Sequence, residues 1–342
     1  MIPVSIYISS KTSFPYAGND KAQYLEYIDY FSKGGFFNVI SFQPEVVSFG
    51  LIKVLAFFFA PGTVILAFFV ISFSLLFYSL ERVDKKSALF FLLFFLGSSF
   101  FLLTYGNVIR QGLALGFLIL SITYSGSKRY MIYIFAVFSH FSVLIFLPFI
   151  LFGLKPLKRK VFLMSVFSLI AILFSAYLLQ ILTSLSILGF SSFSLKAELY
   201  LNWGDYDISQ SLAFVGVGYV IAVIAFSFER KFLLEDDINS KAYSMLSSML
   251  VFLFPLLLFL LSVPKIFERV LLYFAVFIML YISFYITRIM QKELRAFLLG
   301  SVSLVLFFGC LIRFYSTPWF YFDNPEAFLG VDLFSLLTDS LI

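Results

Sequence analysis

Apolar stretches long enough to cross a bilayer recur along the chain, separated by polar turns, several of them basic. A hydrocarbon core of about 30 Å needs roughly 20 residues of helix. The pattern predicts spans at 63–80, 87–104, 107–125, 161–182, 211–228, 243–262, 270–287 and 296–315. In lipid the backbone is satisfied only within helices or a closed barrel. The alternation of barrel strands is missing, so each stretch reads as a helix. Residues 2–10 are apolar but too few to span, and 46–60, which carries Lys53 and ends at Pro61-Gly62, reads as a helix lying along the interface. The outer segments 11–62, 183–210 and 316–342 share no pattern and no internal repeat is visible. The chain therefore reads as a single polytopic membrane domain over 1–342.

Composition agrees with the pattern. At 61% hydrophobic and 13% charged residues, with a mean hydropathy of +1.01, the chain lies outside the range of soluble domains. Its one cysteine, Cys310, excludes an internal disulfide, and its one histidine, His140, excludes a zinc site built from His/Cys clusters. There is no phosphate-binding Walker loop and no dinucleotide fingerprint. No cofactor or metal is expected, although Asp205 and Asp207 could together hold Mg²⁺, and nothing points to nucleic acid as a partner.

Charge informs by location. Fifteen of the 24 lysines and arginines fall in the connections 82–86, 128–129, 155–160, 230–241 and 288–295, which the positive-inside rule places in the cytoplasm. The basic turns before and after 130–152 can share that side only if the segment between them does not cross. It is expected to enter from the cytoplasm, break near His140 and return, a re-entrant helical hairpin at about 130–152 with His140 at its outward tip. Broken backbone at such depth needs cover from protein or a wet cavity. The other reading of these residues is one straight helix with His140 bonded to a neighbouring carbonyl.

Arg110 opens an apolar stretch of about twenty residues. A cation costs roughly 2.5–3.5 kcal/mol at a spanning helix centre, so Arg110 belongs at a helix end or beside a partner. The order Tyr105-Gly106-Asn107-Val108-Ile109-Arg110-Gln111, the basic turn Ser127-Lys128-Arg129, then Ser139-His140-Phe141-Ser142 and Leu147-Pro148 resembles the EpsG-like and Wzy-type family of bacterial polysaccharide (O-antigen) polymerases. The resemblance implies an all-α integral membrane protein, a polytopic helical bundle that is GT-C-like. It further implies a glycosyltransferase that joins undecaprenyl-pyrophosphate-linked oligosaccharide repeat units at the outer face of the bacterial inner membrane. Membrane lipid and a chain-length regulator protein would be its other partners.

Such a reaction needs stabilisation of the departing pyrophosphate and deprotonation of the attacking sugar hydroxyl. Arg110, Arg269 and Arg313 sit at the outer ends of apolar helices, where a guanidinium fork suits phosphate oxygens. Equally, each could snorkel or pair with a carboxylate such as Glu268. His140 is a candidate base or hydrogen-bonding partner of the leaving group. Asp20 is the rival base, since Gly18-Asn19-Asp20 followed by Tyr24 is similar to the Gly-x-Asp…Tyr element of the family, although Gly-Asn-Asp is also an ordinary turn. Arg269 with Tyr273 resembles a later Arg…Tyr element, the two lying one helical turn apart on one face. Trp203, Asp205 and Asp207 suit a sugar, or an interfacial aromatic belt. Gln111 and Glu45 complete the outer polar set as candidate substrate-binding residues.

Gly112 and Gly116 read as a close-packing face, and Glu235-Asp236-Asp237 as a solvated cytoplasmic loop. A flippase or exporter of the same lipid-linked oligosaccharide is the competing function. It would need polar groups continuous through the membrane, whereas 161–182, 243–262 and 270–287 carry no charge at mid-depth.

Overall fold

The computed structural model describes residues 24, 26–30, 45–96, 98–102, 104–105, 108–152, 159–187, 209–289, 291–301, 304 and 308, and all regular structure among them is helical. The chain divides into two compact units, Met1–Phe152 with Ala296–Ile342, and Gly153–Arg295. Among the described residues, four helices are long and apolar enough to cross a membrane, Thr63–Leu96, Leu212–Phe232, Lys241–Ser262 and Ile266–Arg288, and shorter apolar helices accompany them.

The first unit contains α1 (Val46–Phe58), α2 (Pro61–Leu96), α3 (Ile109–Thr123), α4 (Gly126–Ser139), a 3-10 segment (Phe141–Phe146) and α5 (Leu147–Phe152). The spans expected at 63–80 and 87–104 are joined in α2 by a break at Asp84 (φ −164°, ψ 109°) in place of a loop. Asp84 caps the second half, its carboxylate accepting from the Ser87 amide at 2.8 Å and from the Ser87 hydroxyl, the usual way to satisfy the first amides of a helix. The Arg82 guanidinium lies 4.4 Å from the Tyr124 ring centroid. The bend in α2 and the turn between α3 and α4 therefore share one end of this unit. In that turn Gly126 adopts φ 61°, a conformation open to glycine without steric penalty.

Small residues let α2 and α3 approach. A Cβ on Gly116 would lie 3.0 Å from Leu75 Cγ and 3.2 Å from the Leu76 amide. The Ser79 hydroxyl bonds the Gly116 carbonyl at 2.9 Å, so this glycine does serve helix packing. Gly112 makes room for a ring instead, since a Cβ there would meet Tyr105 at 2.7 Å. Tyr105 is surrounded by Phe69, Phe73, Phe95 and Phe101, with ring centroids 5.5 to 6.2 Å away. Edge-to-face packing of this kind adds about 0.5–1.5 kcal/mol per pair beyond burial. It seats the start of α3, and with it Arg110.

The segment 130–152 breaks where expected. α4 ends at Ser139, and His140 is extended (φ −161°, ψ 121°). The Tyr133 hydroxyl then donates to the Val143 carbonyl at 2.8 Å. Ten residues of straight helix would separate these positions by about 15 Å along the axis, beyond the reach of a tyrosine, so the chain has turned back. A straight helix through His140 is excluded.

The second unit contains α6 (Lys160–Ile187), α7 (Ser209–Phe232), α8 (Lys241–Phe259) and α9 (Pro264–Arg288). α9 is buried almost all round from Val270 to Phe284 and forms its core, as an all-apolar helix must. One end of this unit is tied by charge. Lys160 at the start of α6 donates to Glu229 near the end of α7 at 2.7 Å, and Tyr243 near the start of α8 donates to the same carboxylate. Arg288 at the end of α9 pairs with Asp237 at 2.9 Å. Asp237 is thus held, while Glu235 and Asp236 are exposed.

Candidate active site

The site forms where α4 stops. A break in a helix strands a carbonyl on one side and amides on the other, and in an apolar setting each must find a partner. The first turn of α1 supplies two of them. Ser48 donates its hydroxyl to the Ser139 carbonyl at 2.8 Å, and Glu45 Oε1 accepts the Phe141 amide at 3.1 Å. His140 supplies the third: its Nδ1 accepts the Ser142 amide at 3.2 Å and lies 2.7 Å from the Ser142 hydroxyl. An amide nitrogen can only donate, so Nδ1 is unprotonated here, and the ring proton is on Nε2.

Glu45 also reaches the next helix. Its Oε2 accepts from Nη1 of Arg110, the second residue of α3. Its Oε1 lies 3.9 Å from His140 Nδ1. One carboxylate thus joins Arg110 to the backbone turn that follows His140, thirty positions away in sequence. Arg110 Nε donates to the Tyr24 hydroxyl at 3.1 Å, and the guanidinium lies 4.8 Å from the Phe49 ring centroid. Cation–π attraction of about 0.5–2 kcal/mol is available at that distance. The Arg110 and Glu45 side chains are 15% and 9% exposed, so their opposite charges interact with little screening by water.

Among the predicted residues, the structure brings together Arg110, His140 and Glu45, and Tyr24 beside them. Gln111 is buried on α3. Arg269 and Tyr273 belong to the second unit, one turn apart on α9, with Tyr273 fully buried and Arg269 half-buried. Asp20, Trp203, Asp205, Asp207 and Arg313 lie outside the described residues. Among those described, no three His, Cys, Asp or Glu side chains gather closely enough to hold a metal ion. Ser48, Phe49 and Ser142 were missed by sequence reasoning. Ser48 is a polar residue in the first turn of an otherwise apolar helix, and Ser142 stands two residues after the only histidine, which were the available signals.

Helix length also sets how far the site lies from the basic turn. α4 has 14 residues and is about 21 Å long, so His140 lies that far from the turn at Gly126. Arg110, at the opposite end of α3 from Tyr124, lies at a similar distance.

Hydropathy and fold together define a polytopic α-helical membrane protein. Within that class the chain belongs to the EpsG family, whose model matches residues 6–323, and this makes it a polysaccharide-polymerase-type membrane protein. No match was found among curated proteins or solved structures.

Proposed function

We propose that this protein is a polysaccharide polymerase acting on undecaprenyl-pyrophosphate-linked oligosaccharide repeat units at the outer face of the bacterial inner membrane. One observation carries the reading: a single carboxylate holds an arginine beside the turn that carries the only histidine of the chain, at the end of the first unit opposite its basic turns. If those turns lie in the cytoplasm, as positive charge dictates, the cluster faces the outer leaflet, where a lipid pyrophosphate headgroup sits.

In the reaction, the bond between the donor's anomeric carbon and pyrophosphate breaks. A glycosidic bond forms to the acceptor hydroxyl, and the hydroxyl proton leaves to a base. Arg110 stabilises the negative charge of the departing pyrophosphate, as a preorganised cation can do without a metal. With Nδ1 engaged by Ser142, His140 presents a proton from Nε2. That supports His140 as a hydrogen-bond donor to the leaving oxygen or a sugar hydroxyl, and the role of base passes to Asp20. Gln111, Arg269 with Tyr273, Arg313, and the loop residues Trp203, Asp205 and Asp207 bind the glycan or headgroup in this reading.

The test is the surface glycan of a strain lacking this gene. Single repeat units in place of a ladder are expected. Complete loss of surface units would instead mark a flippase.

A further inference from the structure

Glu45 has a position that substrate recognition does not explain. Its side chain is 9% exposed, and both of its oxygens are committed to protein donors, Oε2 to Arg110 and Oε1 to the Phe141 amide. It is also the N-cap of α1, the helix whose Ser48 holds the Ser139 carbonyl on the other side of the break. One helix end thus grips the start of α3 and both sides of the His140 break. A guanidinium here without a counter-ion would be costly, so the carboxylate stabilises the site while it is empty. It occupies a donor of the same fork that a phosphate oxygen would seek.

We propose that Glu45 is a positioning residue, a resident carboxylate that holds Arg110 and the His140 turn together and competes with incoming pyrophosphate for the guanidinium. The proposal rests on Arg110 being the pyrophosphate-binding group. It makes anion affinity and chain growth respond in opposite directions to loss of the Glu45 charge. Without the competitor, pyrophosphate binds more tightly. Without the bridge, arginine and histidine lose their mutual alignment, and turnover falls, since displacements of about 1 Å can cost on the order of 100-fold.

The experiment titrates inorganic pyrophosphate into the purified full-length protein by calorimetry and reads glycan ladders in a strain carrying each variant. Glu45→Gln is expected to bind pyrophosphate at least about threefold more tightly, the scale of one modest ion pair, while shortening the ladder. A purely structural role would weaken both, and a sugar-contacting role would leave pyrophosphate affinity unchanged; either result overturns the proposal. Should Glu45→Gln fail to fold, Glu45→Asp decides. It keeps the charge but is one methylene too short to reach both partners, so pyrophosphate affinity should stay at or above that of the unaltered protein while the ladder shortens, and a weakened affinity or a full-length ladder overturns the proposal. Arg110→Lys separates the two levels. If it loses pyrophosphate binding while Glu45→Gln leaves affinity unchanged, only the role of Glu45 falls. If it binds pyrophosphate as the unaltered protein does, or if the unaltered protein does not bind it, Arg110 is not the anion site and the functional reading falls with it.

Discussion

Each unit of the molecule contains a carboxylate paired with a cation that lies against a tyrosine ring, and the two clusters differ in what surrounds them. Glu229 accepts from Lys160 and Tyr243, and the ammonium lies 4.3 Å from the Tyr243 ring centroid. Every partner is a side chain at the end of an intact helix, and the cluster sits among the basic connections. Glu45 joins an arginine to a backbone amide and a histidine, and sits where a helix has been broken, at the end away from the basic turns. Lysine offers a point charge and closes a packed end. Arginine offers a planar fork, and the break exposes groups that regular helix would conceal. The same elements of charge thus serve as a clasp in one unit and as a candidate reaction centre in the other.

Substitutions can break this comparison. The largest effect is expected at Arg110. Arg110→Lys keeps the charge and loses the fork, so polymer formation should fall by about 100-fold or more, the scale seen when one transition-state donor is removed. The protein should remain at its normal level in the membrane, and normal ladders would rule out Arg110 as a bidentate phosphate ligand. Lys160→Met should do the reverse. Removing one partner of a partly buried pair leaves the Glu229 carboxylate without its counter-ion, so thermal unfolding in detergent should shift down clearly while the ladder of the folded protein keeps its length. A shortened ladder at unchanged stability would show that the second cluster is also functional.

Gly112→Ala should be milder, losing about 1–3 kcal/mol as its Cβ forces the Tyr105 ring aside, and it should shorten the ladder by disturbing the seat of Arg110. Gly50→Ala is the control, because a Cβ there meets nothing within 4 Å, and it should leave both readouts intact.

Much of this arrangement was legible in the chain. Hydropathy located the helices of the described residues, because a bilayer leaves the backbone few alternatives, while most of the span expected at 296–315 lies outside them. The break at His140 followed from the basic turns on either side of 130–152. The bend at Asp84 was hidden, since a basic connection reads alike as a loop or as a capped kink; only the pairing of Asp84 with Ser87 distinguishes them. The partner of Arg110 was equally hidden. Glu45 lies 65 positions away, and pattern along a helix reports its face but not which distant side chain meets it. The tautomer of His140 depends on a single amide, Ser142, whose direction is set by the turn itself.

Placing Arg110, Glu45 and His140 at the outer leaflet requires the segment between Gly126 and Phe152 to turn back before it crosses, and reporter fusions test that most directly. A reporter placed after Arg129 and another after Lys160, each in the otherwise intact chain, should both behave as cytoplasmic. Reporters on opposite sides would mean that the segment spans the membrane, and would remove the reason for assigning these three residues to the outer face.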